Sequence, residues 1–199
     1  MGSIGGNIMS KTKTLVRNLA LGAVFTSLVV VLQLLGTFIR FGPFAISLVL
    51  VPIVLGAAMC NPKIGAWLGF IFGVTVLVSG DAAAFLTVSV PGTIATVLFK
   101  GAASGLTAGL IYKALEKRNR YLAIVAAAVV CPVVNTGIFL LGCKFFFMET
   151  IAGWASALGF ANATAYLFVG MIGVNFLVEL AANIILAPVI LRIVNLFRK

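Results

Sequence analysis

Long apolar runs, separated by short polar or glycine/proline breaks, occupy the chain from Leu15 onward. Four of the runs reach the roughly 20 residues that a helix needs to cross a membrane core about 30 Å thick, and the other two are near 16 residues. We therefore predict an all-α membrane protein, a bundle of six transmembrane helices. The runs are Leu15–Gly36, Ala45–Cys60, Ile64–Ser79, Gly92–Leu115, Tyr121–Cys143 and Tyr166–Leu191.

The composition agrees with this prediction. Of the 199 residues, 62% are hydrophobic and 9% are charged, whereas soluble domains contain about 25% charged residues. This excludes a cytosolic enzyme, a disordered tail and a secreted disulfide scaffold. The first ten residues, MGSIGGNIMS, are rich in glycine and serine, so we expect a disordered start or an artificial extension at 1–10. Residues 11–199 are predicted to form a single six-helix transmembrane domain.

Most basic residues lie at the ends of alternate apolar runs, and six crossings place all of them on one side of the membrane. By the positive-inside rule that side is the cytoplasm, so both termini are predicted to be cytoplasmic. Because these residues are dispersed and have no aromatic platform among them, binding to nucleic acid is not indicated. They are Lys11, Lys13, Arg17, Lys63, Lys113, Lys117, Arg118, Arg120, Arg192, Arg198 and Lys199.

Several kinds of chemistry have no residues to support them. The chain has no histidine, and its three cysteines show no CxxC spacing, so neither a metal site nor His-dependent catalysis is expected. A phosphate-binding GxxxxGK[ST] loop is also missing. We expect no cofactor and no enzymatic activity, and any uphill process would draw its energy from another chain.

Small residues recur at every fourth position in two predicted helices, and another helix has a related small-residue face. The third helix has Gly65, Gly69 and Gly73, and the fourth has Gly101, Gly105 and Gly109, a spacing that lets helix backbones approach closely in a membrane. The first helix has a face of small residues that suits either packing within the bundle or docking of a partner subunit. Its members are Ala20, Ala23 and Ser27.

Six charged residues lie outside the cytoplasmic flanks. Arg40 and Asp81 are predicted in outer loops, and Trp154 belongs to a set of outer-loop aromatics; we include all three among the candidate binding residues. Lys100 and Glu179 differ from the loop charges because both fall within apolar runs. An ionisable residue inside the membrane indicates a functional site by default.

Helix geometry brings three polar residues to one depth. At 1.5 Å per residue, Lys100, Asn135 and Asn175 lie at about the same level in the outer half of the membrane. Asn175, Glu179 and Asn183 follow at every fourth residue and share one helix face. The residues therefore indicate a polar pocket for a small molecule, with Lys100 facing an anionic group. Two alternatives stay open: a structural bundle held by a buried Lys100–Glu179 ion pair, and a membrane-embedded enzyme that uses the same pair.

The chain resembles the substrate-binding (S) subunits of energy-coupling factor (ECF) transporters, which take up vitamins in prokaryotes. The resemblance covers the chain from Leu15 and includes the alanine-rich first helix, NLALGAVFTSLVVVLQ, and a fourth helix opening PGTIATVLFKGAASGLTAGLIY. The most characteristic run is NPKIGAWLGFIFG, in which Asn61 replaces the glycine that usually opens GPKxGAxxGFxxG.

The resemblance implies a binder in a prokaryotic plasma membrane that associates with a transmembrane scaffold subunit and two cytoplasmic ATPases. It implies that Ala20, Ala23 and Ser27 form the scaffold-docking surface, although Leu19 occupies the first small position of the usual AxxxA. It also implies a substrate pocket on helices four to six, which fits Lys100 and its polar neighbours. Pantothenate is the favoured substrate, since a lysine would pair with its carboxylate, and riboflavin and folate stay open.

Overall fold

The computed structural model describes residues 2–37, 40–41, 44–45 and 48–197, and the side chains of residues 12, 14–37, 48–173 and 175–197. The described chain is almost entirely helical. Two residue pairs, β1 (Arg40–Phe41) and β2 (Phe44–Ala45), form a short antiparallel ladder. The helices are α1 (Gly2–Gly36), α2 (Leu50–Met59), α3 (Pro62–Ser79), α4 (Ala83–Leu86), α5 (Val90–Leu115), α6 (Arg120–Gly142), α7 (Met148–Ala157), α8 (Ala163–Ala165) and α9 (Val174–Phe197).

Two π-helical segments join some of these helices end to end. The first, Cys143–Phe147, connects α6 to α7, and the second, Tyr166–Gly173, connects α8 to α9. The described chain therefore forms seven continuous helical segments rather than the six predicted. Five of them are long and apolar enough to cross a membrane: α1, α3, α5, and the joined segments Arg120–Ala157 and Ala163–Phe197.

The second predicted transmembrane helix differs most from expectation. The run Ala45–Cys60 was predicted to be helical throughout, but Ala45 belongs to β2 and the helix begins at Leu50. At 1.5 Å per residue, its ten residues span only about 15 Å, half of a membrane core. Its side chains at Leu50, Ile53 and Val54 are fully buried, so α2 packs inside the bundle.

At the amino terminus, α1 begins at Gly2 and continues without a break into the first apolar run.

The two glycine ladders face each other where α3 crosses α5. A Cβ atom added at Gly69 would collide with the carbonyl oxygen of Gly101, and one added at Gly65 would collide with that of Gly105. A Cβ atom on Gly73 would lie 2.8 Å from the carbonyl oxygen of Val97. The ladders therefore bring the two backbones into direct contact, as the spacing of the glycines predicted.

Local capping explains where α3 and α5 begin. Asn61 accepts a hydrogen bond from the amide of Ile64 at 3.0 Å, and a proline follows it at the first helical position. Ser89 caps α5 in the same way, accepting from the amide of Gly92 at 3.3 Å. Such caps satisfy amides that the first helical turn leaves without partners.

The buried side chains form two clusters. The larger one surrounds α2 and includes Leu68 and Ile124. The smaller one lies beneath α7 and the π-helical segments and includes Phe85 and Phe147. Between the two clusters the helices leave a cavity.

Candidate functional site

The cavity lies between α1, α3, α5, α6 and the segment Tyr166–Phe197. It has about 810 Å³ of unoccupied space, counted together with the open space at its mouth. Its apolar wall comes from both clusters of buried side chains and includes four phenylalanines: Phe72, Phe85, Phe139 and Phe176. Its polar lining consists of Gln33, Asp81, Lys100, Asn135, Thr136, Asn175 and Glu179.

Lys100 projects from α5 between two aromatic rings. Its Nζ lies 5.6 Å from the ring centre of Phe72 on α3 and 5.3 Å from that of Phe139 on α6. Each ring presents the electron-rich face of its π system, and such a contact contributes about 0.5 to 2 kcal/mol. The rings thus hold the ammonium group in place but accept no conventional hydrogen bond from it.

Glu179 belongs to the polar stripe predicted on α9 and is only 7% exposed. Asn175 donates to its Oε1 at 3.5 Å, and Asn183 donates to its backbone carbonyl at 2.8 Å. These contacts connect residues four apart on one helix, which is the spacing that places them on a common face. The oxygen atoms Oδ1 of Asn175 and of Asn183 are buried without a hydrogen-bond donor in the described structure.

The Lys100–Glu179 ion pair that formed one alternative interpretation is not present. Lys100 and Glu179 line the same cavity, yet no nitrogen–oxygen distance between them is 4.0 Å or less. Glu179 and Asp81 are the acidic residues near enough to act on the lysine electrostatically. The structure therefore does not support a bundle held together by this pair.

Asn135 occupies the middle of α6, three residues after Pro132. Its side chain is 5% exposed and lines the cavity, but it makes no hydrogen bond with the described residues. A buried amide without a partner costs free energy, so an unpaired amide at a cavity wall is a ready hydrogen-bonding group for a ligand.

Asp81 is the one predicted outer-loop charge that reaches the described cavity wall. It lies just after α3, and its Oδ2 accepts hydrogen bonds from Gln33 Nε2 at 2.7 Å and from Ser79 Oγ at 3.1 Å. The contact with Gln33 connects the turn between α3 and α4 to α1 at the edge of the cavity.

The two remaining predicted binding residues have different outcomes. Trp154 on α7 does not line the cavity; its ring packs 5.7 Å from that of Phe85, which does. It was chosen as an outer-loop aromatic, but the loop is a helix whose tryptophan supports the cavity wall from behind. Arg40 lies in β1, and its side chain is outside the described part of the structure.

The predicted docking residues lie on the outside of the bundle. Ala20, Ala23 and Ser27 on α1 are all exposed, and Ser27 donates a hydrogen bond to the carbonyl of Ala23 at 3.2 Å. Large apolar side chains around them, such as Leu19 and Val24, are also more than half exposed. The small-residue face is therefore accessible within the membrane-facing surface of α1.

Several lining residues were not predicted. Gln33 is 3% exposed and could have been found, because it is the one polar side chain between Leu28 and Leu35. Thr136 directly follows a predicted site residue. Phe72, Phe139, Met171 and Phe176 resemble any other apolar residue of a membrane helix, so the sequence offers no signal for them. Among the described residues, no cluster of three His, Cys, Asp or Glu side chains could hold a metal ion.

The fold and the cavity define a multi-pass helical membrane protein with a polar site enclosed among its helices. A family model described as the ECF transporter substrate-specific component matches residues 17–191, so the chain belongs to this family. The resemblance seen in the sequence is confirmed. Members of the family are transport subunits rather than enzymes, and the family implies association with scaffold and ATPase subunits and a small-molecule substrate. We found no match among curated proteins or solved structures.

Proposed function

We propose that the protein captures a small water-soluble vitamin at the outer face of a prokaryotic plasma membrane. It would deliver the vitamin to the cytoplasm together with a transmembrane scaffold subunit and two ATPases. The observation that supports this most directly is the cavity itself. Five of the seven predicted binding residues line it, in a chain of which only 9% is charged: Asp81, Lys100, Asn135, Asn175 and Glu179.

We further propose that both termini are cytoplasmic and that the chain crosses the membrane six times. Five helices are long enough to cross unaided, and the short helix α2, with the segment before it, would make the remaining passage inside the bundle. This orientation is supported by the positions of the basic residues, since Lys63, Lys113 and Arg192 then lie at the same side as the two ends.

The substrate class follows from the chemistry of the cavity wall. Lys100 offers an ammonium group to a carboxylate, and four phenylalanine rings offer an apolar surface to the body of a ligand. Both are typical of binding sites for small polar molecules with an apolar part. Pantothenate is the favoured candidate, with folate and riboflavin as the others.

The scaffold subunit is proposed to dock on α1 at Ala20, Ala23 and Ser27. Their exposure and their small size would let a partner helix approach the backbone closely. The cavity meets α1 at the buried residue Gln33, whereas the docking residues are exposed, so docking and ligand binding would use different parts of the same helix.

Identification of the ligand tests the proposed function. The protein would be purified in detergent and examined by native mass spectrometry for a bound small molecule, and then screened by thermal shift against the water-soluble vitamins. We expect one vitamin to bind stoichiometrically and to raise the melting temperature. If no vitamin in the panel binds, the proposed capture function is wrong.

ATP-driven uptake is tested by reconstitution. The isolated chain in liposomes is expected to bind the vitamin but not to accumulate it, and accumulation should require the scaffold and ATPase subunits. Accumulation by the chain alone would contradict the proposed division of labour.

A further inference from the structure

Lys100 and Glu179 place a basic and an acidic group on two walls of one cavity, and each has hydrogen-bonding capacity that the protein does not use. The ammonium group of Lys100 contacts ring faces, and its three N–H donors have no acceptor in the described structure. Glu179 accepts one long hydrogen bond, from Asn175, although a carboxylate can accept about four. Asn135, on α6, is buried at the wall of the same cavity, and neither its donor nor its acceptor groups have a partner among the described residues.

Unpaired charges inside a membrane protein are costly, and a charged pair that is held apart costs more than one in contact. Phe72 and Phe139 hold the lysine from two sides, and Asn175 orients the glutamate from its own helix. The free energy that the open pair costs is recovered when a bound molecule satisfies both groups.

We propose that the ligand is bipolar: a carboxylate end binds Lys100, and a cationic or hydrogen-bond-donating end binds Glu179. Its middle part is apolar or neutral and lies against the phenylalanine rings, and Asn135 binds a polar group along its length. This inference rests on the proposed function and narrows its substrate class.

A ligand with only one charged end fits the cavity poorly. A simple anion would satisfy Lys100 but would leave Glu179 buried without a donor and would add negative charge beside a wall that already has Asp81. A simple cation would satisfy Glu179 but would leave Lys100 buried without an acceptor. A neutral ring system would leave both charges unpaired. The cavity therefore favours a ligand that has two ends complementary to Lys100 and Glu179.

The test compares vitamins sorted by their polar ends, using the full chain in detergent and isothermal titration calorimetry. Pantothenate, biotin and folate have a carboxylate together with hydroxyl, N–H or amino donors. Nicotinate has a carboxylate without a donor, thiamine is a cation without an acid, and riboflavin is neutral. We expect the tightest binder to come from the first group, by about tenfold or more over the others.

The results separate the inference from the function on which it rests. If nicotinate, thiamine or riboflavin binds as tightly as every bipolar compound, the capture function stands and the bipolar inference is wrong. If no compound binds, the proposed function fails, and the inference fails with it.

Paired changes in protein and ligand test the assignment of the two ends. Removing the acidic end of the ligand, for example by replacing pantothenate with pantothenol or biotin with biotinamide, is expected to weaken binding to the natural protein about tenfold. In Lys100→Met the same change should matter less than about twofold, because the partner of the carboxylate is gone. If removal of the acidic end weakens binding to Lys100→Met as much as it weakens binding to the natural protein, the assignment is wrong. The assignment is also wrong if the acid-free analogue binds the natural protein as tightly as the acid does, and this measurement needs no variant.

Matched controls exist on the same chain. Lys113→Met removes a lysine from the exposed end of α5, and Glu149→Gln removes a glutamate charge from the exposed start of α7. Neither should change affinity, whereas Glu179→Gln should weaken binding about tenfold without altering the preference for an acidic end. Equal losses in Glu179→Gln and Glu149→Gln would count against a direct role of Glu179.

Discussion

Gly69 and Gly101 lie in direct backbone contact at the crossing of α3 and α5, with the carbonyl of each occupying the space that a side chain on the other would need. Lys100 immediately precedes Gly101, and Phe72 lies one turn after Gly69, so this contact fixes the distance between two parts of the cavity wall. The glycine ladder is therefore both a packing device and a support of the site.

Gly69→Ala is expected to destabilise the protein by about 1 to 3 kcal/mol, because the added methyl group forces the two backbones apart. Gly137→Ala is the matched control, since a Cβ atom there has no neighbour within 4 Å. Thermal unfolding in detergent should show a lower melting temperature for Gly69→Ala and no loss for Gly137→Ala. Equal melting temperatures for the two variants would show that the contact does not limit stability.

Asn61 occupies the position where the family pattern has glycine, and it caps α3 through the amide of Ile64 at 3.0 Å. Asn61→Ala should cost about 0.5 to 2 kcal/mol of stability, whereas Asn61→Gly should cost only a few tenths. The comparison uses the melting temperatures of the two variants. An alanine variant as stable as the glycine variant would rule out a stabilising role of the cap.

Gln33 donates a hydrogen bond to Asp81 at 2.7 Å and connects α1 to the turn after α3. Gln33→Leu keeps the approximate volume but removes the donor, and the loss of a hydrogen bond to a charged group is worth about 1.5 to 3 kcal/mol. Gln33→Glu should be worse, because it places two carboxylates in contact. Melting temperature and vitamin affinity should both fall in the order Gln, Leu, Glu; a glutamate variant as stable as the natural protein would contradict the contact.

Ala23→Leu is expected to separate the two activities of α1. The leucine would block close approach of a partner helix, so the scaffold and ATPase subunits should no longer co-purify with the chain. Vitamin affinity should stay unchanged, because Ala23 is exposed and does not line the cavity. Ala95→Leu adds the same bulk on the exposed side of α5, away from the cavity lining, and serves as the control. Intact co-purification with Ala23→Leu would place the docking surface elsewhere.

Much of the site could be predicted from depth alone. Helical rise is constant, so the distance of Lys100, Asn135 and Asn175 from the ends of their helices gave their common level. The apolar runs likewise gave α3 and α5 to within two residues at each end, because Asn61 and Ser89 cap where the runs begin.

The rotation of each helix about its axis and the directions of its side chains could not be predicted in this way. Lipid is as apolar as the interior, so the helices lack a strong amphipathic pattern that would show which face is buried. This is why Phe72 and Phe139 were missed as lining residues. The separation of Lys100 from Glu179 depends on side-chain directions on two helices, which spacing along one chain does not specify.

The π-helical segment Cys143–Phe147 has a consequence for what one long helix can do. Asn135 and Ile151 are sixteen residues apart, and an unbroken α-helix at about 100° per residue would turn them about 160° away from each other. The wider turns of a π-helix rotate the chain by a smaller angle per residue. Both side chains therefore face the bundle, Asn135 at the cavity and Ile151 in the second buried cluster. A few residues of altered winding thus let a single segment contribute both to the cavity wall and to the second buried cluster.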